Sequence, residues 1–339
     1  MPTPYAYHWL DVFTQARFGG NQLVVFPDGR GLSDAQMARI AREFNISETV
    51  FVLPPETPGG TRKVRIFTPA RELPFAGHPT IGTAHLLATR LLDAPVTRDT
   101  ELVLEEGVGP VRVAARPQAD GTLFVQLSAA RAPEFLAVQS STGQPRRLAA
   151  PANAGASENR NPEMDVAALA RALNLDPADL ESDLPRGFAS CGTPFLIIPL
   201  RDTDALRRAR LDAAEWFRIA KAGALGGVTD PFWIDHVYPI ARDASLAARG
   251  VDLRVRMFAP GLGITEDAAT GAAATALAAH LAAHATPERD GTFTWTIEQG
   301  IEMERPSLLY LEADKRDGHV SAVRVGGYAV WVGEGQLTI

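Results

Sequence analysis

Short runs of β-branched and aromatic residues, separated by Gly, Pro and Asp, fill the first third of the chain, which is the pattern of strands closed by tight turns. They predict strands at Tyr5–Phe13, Leu23–Phe26, Val50–Leu53, Lys63–Phe67, Glu101–Leu104, Val108–Ala114 and Leu123–Leu127. Two helices interrupt them. Ser33–Phe44 sets Met37, Ile40, Ala41 and Phe44 at helical spacing behind a capping serine, an amphipathic surface helix. Pro79–Leu92 is of another kind, with Arg90 as its one charged residue.

From about Pro133 to Asp165 the pattern dissolves into Ser, Pro, Asn, Gly and Ala, read as a linker or surface insertion over 133–164. It separates an N-terminal α+β domain, 1–132, from a C-terminal one, 165–325, with a last strand at about 326–339 returning to the first. In the second half, helices are predicted at Asp165–Leu173, Asp204–Arg210, Ala213–Ala222 and Gly271–His284. Strands are predicted at Phe195–Leu200, Phe232–Tyr238, Leu253–Phe258, Thr292–Gln299, Leu308–Ala313, Val320–Val325 and Tyr328–Val332. Strands outnumber helices in both halves. The fold class is therefore α+β with mixed or antiparallel sheets, not a regular βαβ array.

The two halves echo each other. Val-Arg-Ile-Phe-Thr-Pro at Val64–Pro69 is matched by Val-Arg-Met-Phe-Ala-Pro at Val255–Pro260, identical at four of six positions. A short polar loop and a nearly charge-free helix follow each proline, as a duplicated unit would require. A helix that is apolar or small all round must be buried all round, and a curved sheet wrapped about it is the simplest way to do so. Two such domains, related by pseudo-symmetry, would turn two central helix N-termini toward a shared cleft. Each N-terminus offers unsatisfied N–H groups and partial positive charge, hence a seat for an anion such as a carboxylate.

Composition narrows the function classes. With 33 Lys and Arg against 40 Asp and Glu, a net charge of −7, the chain lacks the basic face that nucleic acid requires. Cys191 is the single cysteine, which removes intrachain disulfides, zinc ribbons and two-cysteine acid/base chemistry. No signal peptide is visible, and Ala268–Pro287 is too rich in alanine to make a good membrane span. A soluble cytoplasmic protein is expected.

Several motifs fail on inspection. His280 and His284 have the spacing of a helical zinc pair but lack the adjacent glutamate and a third ligand, so no metal is expected. Gly261-Leu-Gly263 completes no dinucleotide fingerprint, there is no phosphate-binding loop, and no nucleophile elbow is present. Cys191 reads as a core thiol. His78, just before Pro79, stands where a helix cap stands, and Gly77 allows close backbone approach. Asp267 holds the corresponding place in the second half. Either alone reads as an ordinary cap; together they suggest two faces of one pocket. Glu48 lies at a strand entrance, normally a solvated position, and no spacing rule marks it.

At these residues the chain resembles the PhzF-like family, named for the phenazine-biosynthesis isomerase, which shares the diaminopimelate-epimerase fold. The matching segments include Gly20–Phe26, Asn45–Thr49, Arg65–Pro69 and Glu72–Thr80, then Gly192–Phe195, Arg256–Pro260, Glu266–Asp267, Ala269–Gly271, Gln299–Gly300, Arg305–Ser307 and Val325–Gly327. They run in family order over nearly the whole chain. The resemblance implies two pseudo-symmetric domains, each a sheet around a central helix, and a homodimer. It marks Glu48 as the acid/base that moves a proton on substrate carbon. His78 and Asp267 line the pocket, and Gly77, Gly271 and the Ala272 amide hold the substrate. No cofactor or metal is implied, and with no cysteine at either helix start the cysteine-based epimerase chemistry is excluded.

This chain departs from the family at several points. Ala268 and Ala272 stand where proline and a pocket serine are usual, Gln22 replaces a proline, and Glu304 replaces a glycine. Two readings follow. One is a cofactor-independent isomerase or epimerase acting on a small carboxylate-bearing, amino-acid-like molecule. The other is a metabolite-binding or interaction protein that has kept the scaffold and lost turnover.

Overall fold

The computed structural model describes residues 3–92, 94–129, 131–139, 163–180, 182–286 and 290–339. In the first half, Pro4–Val12 runs antiparallel to Asn21–Phe26, which runs parallel to Glu48–Leu53. The latter is antiparallel to Arg62–Phe67, and that strand is parallel to Thr100–Glu106. Gly109–Pro117 and Leu123–Ser128 complete an antiparallel meander. The second half repeats the same series of pairings. Arg186–Ser190 is antiparallel to Pro194–Pro199, then parallel pairing leads to Val237–Ala241 and antiparallel pairing to Leu253–Val255. Gly291–Gln299 joins in parallel, and Ser307–Arg316 and His319–Gly327 meander after it. Matched order and matched direction in both halves are what a duplicated unit produces.

Each half gives a strand to the other. Ala329–Thr338 pairs with Pro4–Val12, and Glu134–Gln139 pairs with Arg186–Ser190. Leu123–Ser128 also pairs with His319–Gly327, so the sheet is continuous across the molecule. Glu134–Gln139 corrects the expectation of a linker over 133–164: a six-residue strand with four apolar residues, beside Pro133 and a polar stretch, is too short to stand out by pattern. Residues 140–162 of that expected insertion lie outside the described residues.

Each sheet half wraps one helix. The first central helix, Gly77–Leu86, continues as a π-helical turn, Leu87–Leu91, and is buried along nearly its whole surface. Gly82 lets it press on the sheet, since a β-carbon there would sit 2.5 Å from Leu23 Cδ2 and 2.6 Å from Val12 Cγ2. The second central helix, Gly271–His284, is equally enclosed by its half. Both helices and the strands around them share one continuous apolar core. Among the described residues no helix is long and apolar enough to cross a membrane.

The echo also holds at the level of contacts. Arg65 forks onto the Glu72 carboxylate at 2.7 and 2.6 Å, and Arg256 onto Glu266 at 2.8 and 2.7 Å. Each guanidinium also lies over the phenylalanine two residues on, Phe67 at 5.1 Å and Phe258 at 4.9 Å. The environments differ. Arg65 also reaches the exposed Asp34, whereas Arg256 is buried and donates to the Leu206 and Ala209 carbonyls.

Several local expectations are corrected. Residues 231–234 form a helical turn instead of the start of a strand, because Asp230 accepts from the Phe232 amide and Pro231 suits the first helical position. The strand expected over Leu253–Phe258 breaks at Arg256, whose amide donates to the Pro239 carbonyl. The first central helix starts at Gly77 with Ala76 as its N-cap, so His78 lies in the first turn and does not cap. Proline is tolerated there because a first-turn N–H has no intrahelical acceptor to lose. Asp267 is likewise no cap: it ends the strand Ile264–Asp267, and Thr270 is the N-cap. Glu304 adopts φ 59°, the left-handed region that favours the glycine usual at this place.

Candidate active site

The two central helices meet at their N-termini. A β-carbon built on Gly77 would lie 3.0 Å from Gly271 Cα and 3.2 Å from the Ala272 nitrogen, so only glycine allows the backbones this close. From the other side, a β-carbon on Gly271 would lie 3.3 Å from Gly77 Cα and 3.5 Å from the Phe13 ring. Neither helix start is capped by a side chain. The amides of Gly271 and Ala272, and those of Gly77 and His78 before the donor-less Pro79, are left without intrahelical acceptors.

Glu48 reaches this junction from the edge of a strand. The helix Asp34–Phe44 ends at Asn45 in the left-handed conformation, and three residues later Glu48 opens its strand in register with Leu23. Its side chain is 15% exposed, and Oε2 is buried without a hydrogen bond, 3.3 Å from His78 Nε2. Burial, with Asp267's negative charge as the second cause, pushes the Glu48 carboxyl well above the ordinary range.

His78 is fixed by its neighbours. Nε2 faces the Gln22 carbonyl at 3.2 Å and Nδ1 faces Asn21 Nδ2 at 3.4 Å. A carbonyl can only accept, so the ring proton belongs on Nε2 and Nδ1 is the unprotonated nitrogen. Burial lowers the ring to about 3, against a small rise from the Gln22 carbonyl, so the imidazole is neutral.

Asp267 carries the opposite assignment. Its Oδ1 accepts from Asn21 Nδ2 at 2.8 Å and its Oδ2 from the Thr270 hydroxyl at 2.5 Å. Burial raises this carboxyl to about 6, while those two bonds hold it down. Burial thus favours the protonated form of Glu48, the Asn21 and Thr270 bonds favour the ionised form of Asp267, and His78 is neutral.

The structure therefore gathers Glu48, Gly77, His78, Asp267, Gly271 and Ala272 in one place. It adds residues that the sequence reading passed over. Asn21, in the first half, donates to Asp267 and to the Ala269 carbonyl at 2.9 Å and accepts from Ser47 Oγ at 3.3 Å, so it stitches the two halves together. Gln299 and Thr270 support Asp267 from behind. All four lie within the motif segments, but none of them titrates near neutrality, so nothing in the sequence singles them out. Ala272 brings an amide but no hydroxyl.

Other candidate chemistry stays apart. Among the described residues no three His, Cys, Asp or Glu side chains gather as metal ligands. His280 Nε2 bonds to the Pro185 carbonyl at 3.0 Å, and burial pushes the Cys191 thiol up to about 12, where it is inert. A surface pocket of about 360 Å³, lined in part by Glu56, Lys63, Arg65 and Glu106, includes none of the junction residues.

The chain is similar to several known proteins. Residues 10–335 match the PhzC-PhzF model, described as phenazine biosynthesis-like protein. An uncharacterized isomerase of Mesorhizobium japonicum is 38% identical over 334 residues, covering 98% of each chain. A trans-2,3-dihydro-3-hydroxyanthranilate isomerase of Pseudomonas fluorescens is 32% identical over 335 residues, covering 98% of this chain and 99% of its own. A Bacillus anthracis phenazine biosynthesis protein of the PhzF family superposes with a TM-score of 0.79 at 23% identity, covering 99% of this chain and 100% of that one. The fold is thus of the diaminopimelate-epimerase type anticipated by the resemblance.

Proposed function

The chain belongs to the phenazine biosynthesis-like PhzC-PhzF family and is an isomerase, and from that premise we propose that it moves a proton on carbon of a small carboxylate-bearing, amino-acid-like substrate. Glu48 is the general acid/base. Its buried, protonated carboxyl can deliver a proton to carbon, and as carboxylate it can take one back from a neighbouring carbon. Ionised Asp267 orients an ammonium or hydroxyl group, and His78 holds the geometry around Glu48 or relays its proton. The open amides of Gly271 and Ala272 seat the substrate carboxylate beside the helix junction. No metal or cofactor enters the scheme.

The observation that carries this reading is the meeting of Gly77 with Gly271 beside Glu48 and Asp267, two carboxyls that burial raises and of which Asp267 accepts two hydrogen bonds. Because the pocket serine is absent at Ala272, the substrate is expected to differ from that of the anthranilate isomerases. The test is to assay trans-2,3-dihydro-3-hydroxyanthranilate beside a panel of cyclic and acyclic amino and hydroxy acids. Isomerised or epimerised product, lost in Glu48→Gln, supports the reading. Binding without product by every compound that shifts the melting temperature supports the alternative, a metabolite-binding protein without turnover. A cytoplasmic homodimer belongs to the same proposal and is checked by cell fractionation and sedimentation.

A further inference from the structure

Thr270 sits at the N-cap of the second central helix, where a threonine hydroxyl ordinarily accepts a hydrogen bond from an amide of the first turn. It makes no such bond. Gln299 Nε2 donates to its oxygen at 3.0 Å, and the hydroxyl proton goes to Asp267 Oδ2 at 2.5 Å. Gln299 is fully buried and every hydrogen-bonding atom of its amide is engaged. It also donates to the Asp267 carbonyl at 2.8 Å, and it accepts from the Thr270 amide at 3.2 Å and the Tyr238 hydroxyl at 3.3 Å. With one lone pair of the hydroxyl occupied by Gln299, its single proton is steered to the carboxylate.

We propose that Thr270 is a positioning residue: directed by Gln299, its hydroxyl fixes the Asp267 carboxylate toward the cleft and, by not capping, leaves the first-turn amides of its helix open to a ligand. The second clause rests on the function proposed above; the first stands on the hydrogen bonds alone. Asp267 is faced by Glu48 from its strand, by Tyr238 from another, by His78 through Asn21, and by Glu266 on its own strand. None of these gives Oδ2 a hydrogen bond. A charge-assisted bond to the ionised form keeps the carboxyl's titration low, so removing it moves that titration up.

The experiment titrates Asp267 by carboxyl carbon NMR in the full chain without substrate, with Asp267→Asn identifying the resonance. Thr270→Val is expected to raise the midpoint by about one pH unit, and Thr270→Ser to restore it. Gln299→Leu, which removes the steering amide, moves it the same way and decides the matter should the valine variant fail to fold. A midpoint unmoved in the folded variants, with only the melting temperature changed, reduces Thr270 to a structural residue and overturns the proposal. Because no turnover is read, that result is distinct from failure of Glu48 as the acid/base.

Discussion

The backbone of Gly271 occupies the space that any side chain on Gly77 would need, with 3.0 Å between Gly271 Cα and a β-carbon placed on Gly77. Both are at the first position of a central helix, one from each half, and the contact is backbone on backbone. Flexible side-chain ends can yield by rotation, but here the two helix starts must separate.

Gly77→Ala is therefore expected to lower activity at least ~10-fold through misplacement of the reacting groups, with a stability loss of about 1–3 kcal/mol from overpacking. Gly82→Ala meets only the methyl ends of Leu23 and Val12 and reports overpacking away from the junction. Thermal melts and turnover measured on both separate the effects. Equal activity per folded molecule in the two variants would contradict a catalytic role for the junction.

The repeated arginine–glutamate pairs predict unequal consequences for the same substitution. Arg256 and Glu266 have side chains 3% and 13% exposed, while the partners of Arg65, Asp34 and Glu72, are 84% and 41% exposed. Arg256→Ala leaves a poorly solvated carboxylate and unpaired carbonyls and should cost about 3–5 kcal/mol. Arg65→Ala should cost about 1 kcal/mol or less. Denaturant unfolding of both variants checks this, and similar losses would refute the argument from burial.

Much of this architecture was legible in the chain, for reasons visible in particular residues. Gly271–His284 was bounded correctly because alanine-rich, uncharged helices have few alternatives, and the twin Val-Arg-x-Phe-x-Pro segments revealed the duplication. Failures came where a local signal was outvoted. Phe232 and Ile234 look like strand residues, but Asp230 and Pro231 impose a turn of helix. Pro79 suggested a cap at His78, whereas Ala76 and Gly77 can enter the helix earlier. The strand Arg186–Ser190 was missed because it holds a glycine and no β-branched residue. Within the site, titratable groups could be nominated; the amides and hydroxyls that set their charge, Asn21, Thr270 and Gln299, became visible only through their hydrogen bonds.

Glu106 supplies a test of pH linkage away from the junction. The Thr80 hydroxyl has one proton but lies 2.7 Å from both the Ala76 carbonyl and Glu106 Oε1. A protonated Glu106 resolves this by donating to Thr80, in keeping with burial that raises it to about 8. The folded state then binds this proton more tightly than the unfolded one. Its stabilisation is complete below about pH 4.5 and is lost as pH rises through about 8, amounting to about 3–5 kcal/mol. Glu48 and Asp267, also raised, act in the same direction. Glu106→Gln keeps the donor to Thr80, so its melting temperature should fall less than that of the wild type between pH 5 and 8. Parallel curves would contradict the assignment.

His78 should contribute no limb to a pH–activity profile. With its ring lowered to about 3 and its proton on Nε2, nitrogen NMR of the imidazole should give a neutral, unchanging Nε2–H signature from pH 5 to 8. A titration near 6.5 would mean that the ring is solvated in solution and that its contact with Glu48 is not maintained.

Proton movement on carbon is the step assigned to Glu48. Its most direct test is turnover of an accepted substrate in deuterated water, with product and recovered substrate analysed by mass spectrometry and proton NMR. Wild-type enzyme should place deuterium on one specific carbon, while Glu48→Gln, folded and still able to bind, should lower label uptake at least ~100-fold, within the range of a lost general acid/base. Undiminished labelling by Glu48→Gln would contradict the account.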